Sequence, residues 1–239
     1  MKFLHVAIIV ATLAGAGILV KSAFKPKPNE NPFPRESRAY MPKLEFAKRV
    51  DAIPDFGRKL RAVAANSAAP SDPAAQGFEI AHNGLKRVDD AVLDRRLDLM
   101  IKLVEHVDLP TCAAMARADA AGAKKLAPKI LRALENLPAE DIRAFFDLTT
   151  KAVEAELNAK PVSSIARSSG DAAMRNLGER FSDDERALLM RVVGYPNTVS
   201  DSSACWLIKT VFAEIKDMPA KERYTVSRML TQAGDGGAR

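Results

Sequence analysis

An all-α fold, a multi-helix bundle or a stack of helical hairpins, is what three features of this sequence predict. Ala, Leu, Lys, Arg, Glu and Asp dominate it while aromatics make up 6%, and apart from Asp the dominant residues are those that lose little on entering a helix. β-branched residues never gather into alternating runs beyond the N-terminus, which argues against sheets. Proline, glycine and short hydroxyl or acidic side chains recur where helices would start and stop. With 47% hydrophobic residues over 239 positions, the chain can build a real core.

The first element is a different matter. Phe3 to Val20 is an apolar run of eighteen residues without a formal charge, and at about 1.5 Å per residue it would just cross a bilayer core of roughly 30 Å. Residues 1–23 are therefore expected to be a transmembrane anchor or a signal peptide. Ala14-Gly15-Ala16 offers a cleavage site, whereas the continuation through Ile18-Leu19-Val20 favours an uncleaved anchor. Residues 24–43, with five prolines between Phe24 and Pro42, are expected to be an extended, basic linker.

The helical domain is expected over 44–233. Short helices at Leu44–Val50 and Phe56–Ala65 are split by Ile53-Pro54-Asp55, and a loop follows over 66–76. A long helix from about Leu85 to Val107 carries Leu85, Val88, Val92, Leu99, Leu103 and Val107 at three- and four-residue steps, one face core and the other wet. Asp94, Asp98, Arg95, Arg96 and Lys102 form that wet side. Thr111 is placed to cap a helix ending near Gly122. Lys125–Leu134 comes next, then a helix with Pro138 at its first position and Glu140 and Asp141 in its first turn, running to Leu157. Ser182-Asp183-Asp184-Glu185 is a capping box for a helix ending at Gly194-Tyr195-Pro196. A helix from about Ser203 and one from Pro219 to Gln232 close the domain, with 234–239 a fraying tail. Leu134 to Asp141 and Ile215 to Glu222 resemble each other, so 85–160 and 170–233 are candidate related halves.

Charge is unevenly spread. Between Lys21 and Arg61 eleven Lys/Arg stand against five Asp/Glu, an excess equal to the +6 of the whole chain. The near-neutral body that remains has no electrostatic footprint for phosphate, so nucleic acid is not an expected partner. The basic stretch reads instead as juxtamembrane, although the positive-inside tendency would keep that flank cytoplasmic and so opposes export.

Two cysteines, Cys112 and Cys205, are expected to form a disulfide if the body faces an oxidising compartment. A catalytic role for Cys112 with His106 lacks an orienting third residue. His5, His82 and His106 share no ligand spacing, so no metal site is expected. No cofactor or catalytic constellation is expected either. The paired carboxylates Asp89-Asp90, Glu140-Asp141 and Asp183-Asp184 fit helix starts and solvated faces, and Trp206, Phe212, Phe145 and Phe146 fit a core.

The resulting expectation is an exported or membrane-tethered helical protein, its body in the periplasm of a bacterial-type envelope or outside, acting by binding another protein as an inhibitor, immunity or assembly factor. The membrane contact would run through residues 3–20. An envelope hydrolase with converging carboxylates and a cytoplasm-facing adaptor on anionic lipid are the alternatives.

Overall fold

A computed structural model describes residues 31–65, 73–117, 120–195 and 198–232. Among these residues there are eleven helices and no strand: α1 Tyr40–Asp51, α2 Phe56–Ala65, α3 Pro73–Leu85, α4 Asp90–His106, α5 Leu109–Arg117, α6 Ala120–Leu134, α7 Ala139–Leu157, α8 Arg167–Glu179, α9 Asp183–Gly194, α10 Asp201–Lys216 and α11 Ala220–Gln232. The described part of the chain is all-α, as the composition predicts. No helix among the described residues is long and apolar enough to cross a membrane. The apolar segment at Phe3–Val20 and the tail at 234–239 lie outside the described residues.

The helices assemble on two flanks of α4. On one flank α7 packs against α1, α2 and α3; on the other α10 packs against α5, α9 and α11, and α8 lies on α11. Helix α4 touches α6, α7, α10 and α11, so it is a central strut rather than a surface helix with one wet side. The reason is visible in its sequence. Leu93, Leu97, Met100 and Val104 form one buried stripe, while Leu99 and Leu103 are buried on another face. At 3.6 residues per turn these stripes point in different directions and demand cover on both sides.

Several boundaries differ from expectation for identifiable reasons. The Pro-rich stretch joins the body earlier than expected: Phe33 is buried, edge-on to Phe146 at 6.3 Å, and α1 begins at Tyr40 with Pro42 in its first turn, where a missing N–H costs nothing. Phe46 adds a second ring against Phe146 at 5.9 Å. The break after α1 holds at Ile53-Pro54-Asp55, with Asp55 in the left-handed region at φ 58. The expected loop over 66–76 gives way to helix at Pro73. The long helix expected from Leu85 is cut there, and α4 restarts at Asp90 behind Asp89 as N-cap residue.

Helix α5 begins at Leu109, and its capping carboxylate is Asp108, which accepts from the Thr111 backbone N–H at 2.8 Å; Thr111 itself is buried inside the helix. Pro138 stands one position before α7 rather than in it. The α9 capping box is complete, with Ser182 and Glu185 bonding reciprocally. Ser200 caps α10 by accepting from Ser203 N–H. Helix α8, which has no counterpart among the expected elements, buries little beyond Gly170, Ala173 and Leu177.

One close approach fixes the α3–α7 pair. A Cβ at Gly84 would lie 1.8 Å from the Ala152 carbonyl oxygen, so glycine is what allows these backbones to touch. Helix α7 ends with Ala159 at φ 50, the Lys160 N–H donating to Ala155 C=O and the Ala159 N–H to Glu156 C=O. That is a Schellman closure with alanine where glycine is usual.

Candidate functional site

The α5–α10 pair brings the two cysteines together. Cys112 and Cys205 stand at disulfide distance, their Cα atoms 5.1 Å apart across 93 positions of sequence. The two helices run antiparallel, because Arg117 at the end of α5 pairs with Asp201 at the start of α10 at 2.6 Å and also bonds the Val199 carbonyl. Small residues let them close: Ala113, Ala116 and Ala204 are buried beside the cysteines. With Cys112 fully buried and tied to Cys205, and His106 exposed at the end of α4, no thiol is offered for nucleophilic chemistry while the bond stands.

The helices that carry and flank this cross-link leave several large apolar side chains exposed. Trp206, the residue after Cys205, is 45% exposed, and Leu109, one turn before Cys112, is 49% exposed. Helix α9, which packs on both α5 and α10, adds exposed Met190, and exposed Tyr195 follows at its end. Phe212 and Phe146 lie in the core as expected and Phe145 is half-buried against it. Trp206 departs from that expectation, since a buried neighbour and a helical repeat do not fix on which side of the stripe it falls.

The charged face of α4, expected to be solvated, is instead a set of inter-helix ties. Asp94 receives Arg223 Nε at 2.5 Å and Nη2 at 3.2 Å, and Asp98 receives Lys216. Asp90 receives Arg228 Nε at 2.9 Å, while the same guanidinium bonds the Val88 carbonyl at 2.9 Å. Acids one turn apart on α4 thus meet cations from the end of α10 and from α11 in antiparallel order. On another side Asp141, fully buried, binds Arg95 at 2.9 Å and Lys102 at 2.6 Å. A carboxylate without exposure is tolerable only when so paired. Arg96 joins none of these pairs. Of the other expected carboxylate pairs, Asp89, Glu140, Asp183 and Asp184 are exposed.

Between α1 and α7 runs a groove of about 300 Å³ lined by Phe46, Phe146, Glu45, Arg49, Arg143 and Asp147. Burial alone would raise the Asp147 carboxyl, but hydrogen bonds from Arg49 and Lys151 outweigh it and hold the group below the usual carboxylate range. Such a carboxylate is an ion-pair partner rather than a proton carrier at neutral pH. Nearby in α1, Lys43 is 3% exposed with its ammonium 5.0 Å from the Phe46 ring centroid; burial lowers it to about 8, against the raising influence of Asp51. Among the described residues no group of three or more His, Cys, Asp or Glu could hold a metal ion.

Fold and site together define an all-helical bundle with a cysteine cross-link across its C-terminal flank. No protein-family profile, curated protein or solved structure matches the chain.

Proposed function

We propose that this is an exported or membrane-tethered helical protein of the cell envelope that acts by binding another protein, and that the partner docks over the α5–α10 cross-link. The observation that carries the reading is the coincidence of Trp206 and Leu109, both about half exposed, with the Cys112–Cys205 pair. A rigid, covalently tied pair of helices presents these side chains at little entropic cost, and tryptophan is the residue most often found at the energetic centre of an interface. The apolar run at Phe3–Val20 and a cysteine pair positioned to oxidise both fit delivery to an oxidising compartment.

The test reads compartment and surface together. Protein taken from its own cells is alkylated with and without reduction, and its intact mass recorded. Cysteines protected until reduction support the reading, and two immediately reactive thiols overturn the compartment. In the same cells a photo-crosslinking residue at position 206 is expected to give a discrete protein adduct that one at exposed Lys160 does not. Equal labelling from both positions would overturn the docking face. Inhibitor, immunity and assembly roles are then separated by the identity of the adduct. The hydrolase reading gains nothing from the α1–α7 groove, where Asp147 is committed to Arg49 and Lys151.

A further inference from the structure

The outer side of α10 carries four exposed residues in steps of four, three and four: Ser202, Trp206, Lys209 and Ala213. At about 100° per residue they fall within about 60° of arc and run for about 16 Å along the helix. They lie opposite the face that buries Leu207, Ile208, Val211 and Ile215. Alternating steps of four and three are the spacing of a coiled-coil seam, the stripe by which one helix lies along another. Here the seam faces outwards.

Its two large side chains lack partners. Trp206 is 45% exposed. Four residues of α10 carry formal charge, and three of them are tied to other elements: Asp201 to Arg117, Glu214 to Arg180 and Lys216 to Asp98. Lys209 is the fourth. It forms no hydrogen bond or ion pair among the described residues, and no acid stands three or four positions from it on α10. The unpaired charge of this helix is thus the one that lies in the seam.

The stripe is also self-complementary. A two-fold axis passing between Leu207 and Ile208 sets Trp206 against Lys209 of a second copy, and Ser202 against its Ala213, with every contact made twice. Small side chains at both ends let the helices close. In the middle the lysine stem packs along the indole, and the ammonium finds the ring face that its own chain does not give it. Parallel pairing would instead set Lys209 against Lys209, so charge selects the antiparallel register.

We propose that two copies of this protein pair through antiparallel α10 helices, and that this pairing keeps Trp206 covered until another protein displaces it. The inference rests on α10 being the docking face and adds how that face is regulated. One helix from each copy makes a small interface, at the weak and transient end of specific association. The pair therefore exchanges, and a partner competes with it by mass action.

The disulfide-bonded full chain in mild detergent is taken through sedimentation equilibrium, unsubstituted and as Trp206→Ser or Lys209→Ala. A reversible monomer–dimer equilibrium is expected, weakened at least about tenfold by Trp206→Ser and less by Lys209→Ala. Thermal unfolding should be unchanged in both variants, because both side chains are exposed. A short diazirine residue at position 202, in an equal mixture of light and heavy-isotope chains, should label the peptide holding Ala213 of the other copy. A monomer at every concentration overturns the proposal, as do association that neither substitution weakens, which is what pairing through Phe3–Val20 would give, and labels mapped elsewhere. If the isolated protein is monomeric while position 206 still captures a different protein in cells, the dimer falls and the docking face stands. If position 206 captures nothing discrete in cells and the isolated protein is monomeric, both fall.

Discussion

The two flanks of α4 solve the same problem by different chemistry. On the N-terminal flank α3 meets α7 by backbone contact, with Gly84 against the Ala152 carbonyl and Ala155 beside them in a small apolar cluster. On the C-terminal flank α5 meets α10 through the Cys112–Cys205 cross-link and the Arg117–Asp201 pair, and α11 meets α4 through charge pairs. Close helix packing by small residues depends on shape alone and is indifferent to redox state and, in its own contacts, to salt. The second arrangement answers to both. One bundle therefore contains a flank whose covalent tie answers to redox state and a flank whose closest helix contact does not, joined by a strut shared between them.

The largest expected effect separates the flanks by their covalent chemistry. Replacing both cysteines, as Cys112→Ala with Cys205→Ala, should cost about 4 kcal/mol in chemical denaturation, the scale for a closed loop of this length. Hydrogen exchange should rise in α5 and α10 and leave α3 and α7 protected; uniform loss of protection would break the comparison. Next comes Gly84→Ala, for which we expect a loss of about 3 kcal/mol, because the carbonyl it meets is backbone and the helices must part. A change within about 0.5 kcal/mol would mean the α3–α7 approach is looser than described.

A pH experiment sharpens the N-terminal side. The unfolded chain keeps the Lys43 proton up to about 10.5, the folded protein releases it at about 8, and so between these values the unfolded state binds more protons. Lys43 thus penalises folding most below pH 8, and its contribution should improve as pH rises from 8 towards 10.5. Lys43→Met should add about 2 kcal/mol at pH 7 and flatten that slope; a variant that is less stable at pH 7 would show that the Phe46 contact outweighs burial. The smallest effect is expected at Ala159, where glycine relieves a left-handed backbone. Ala159→Gly should stabilise by about 1 kcal/mol, and destabilisation would place the closure of α7 elsewhere.

How much of this was legible in the sequence follows the strength of local chemistry. The α9 start was readable because Ser182 and Glu185 satisfy each other within one turn, and α11 because Pro219 marks its entrance. Helices α3 and α8 were not readable, since beyond Ile80 and Leu85 in the one and Leu177 in the other their buried faces rest on Ala81, Gly84, Gly170 and Ala173, residues with little hydrophobic signal of their own. The pairing of Cys112 with Cys205 followed from there being only two cysteines. The roles of Asp94 and Asp98 were hidden because a charge pattern does not say whether its partner is water or a helix more than a hundred positions away. Trp206 illustrates the same limit, as its exposure depends on which helices cover α10.

The sequence separations of the α4 pairs have a consequence for the order in which the chain is made. Asp98, Asp94 and Asp90 wait for cations 118, 129 and 138 positions further on. A ribosome or a translocation channel releases the strut long before the residues that neutralise it. Everything α1, α3 and α7 need for packing on one another has emerged by Leu157, so one side of the strut can be covered while the other still shows three bare carboxylates and an apolar stripe. For a chain threaded N-terminus first, α11 brings two of the three cations and so covers the second side of the strut only after the first has been built.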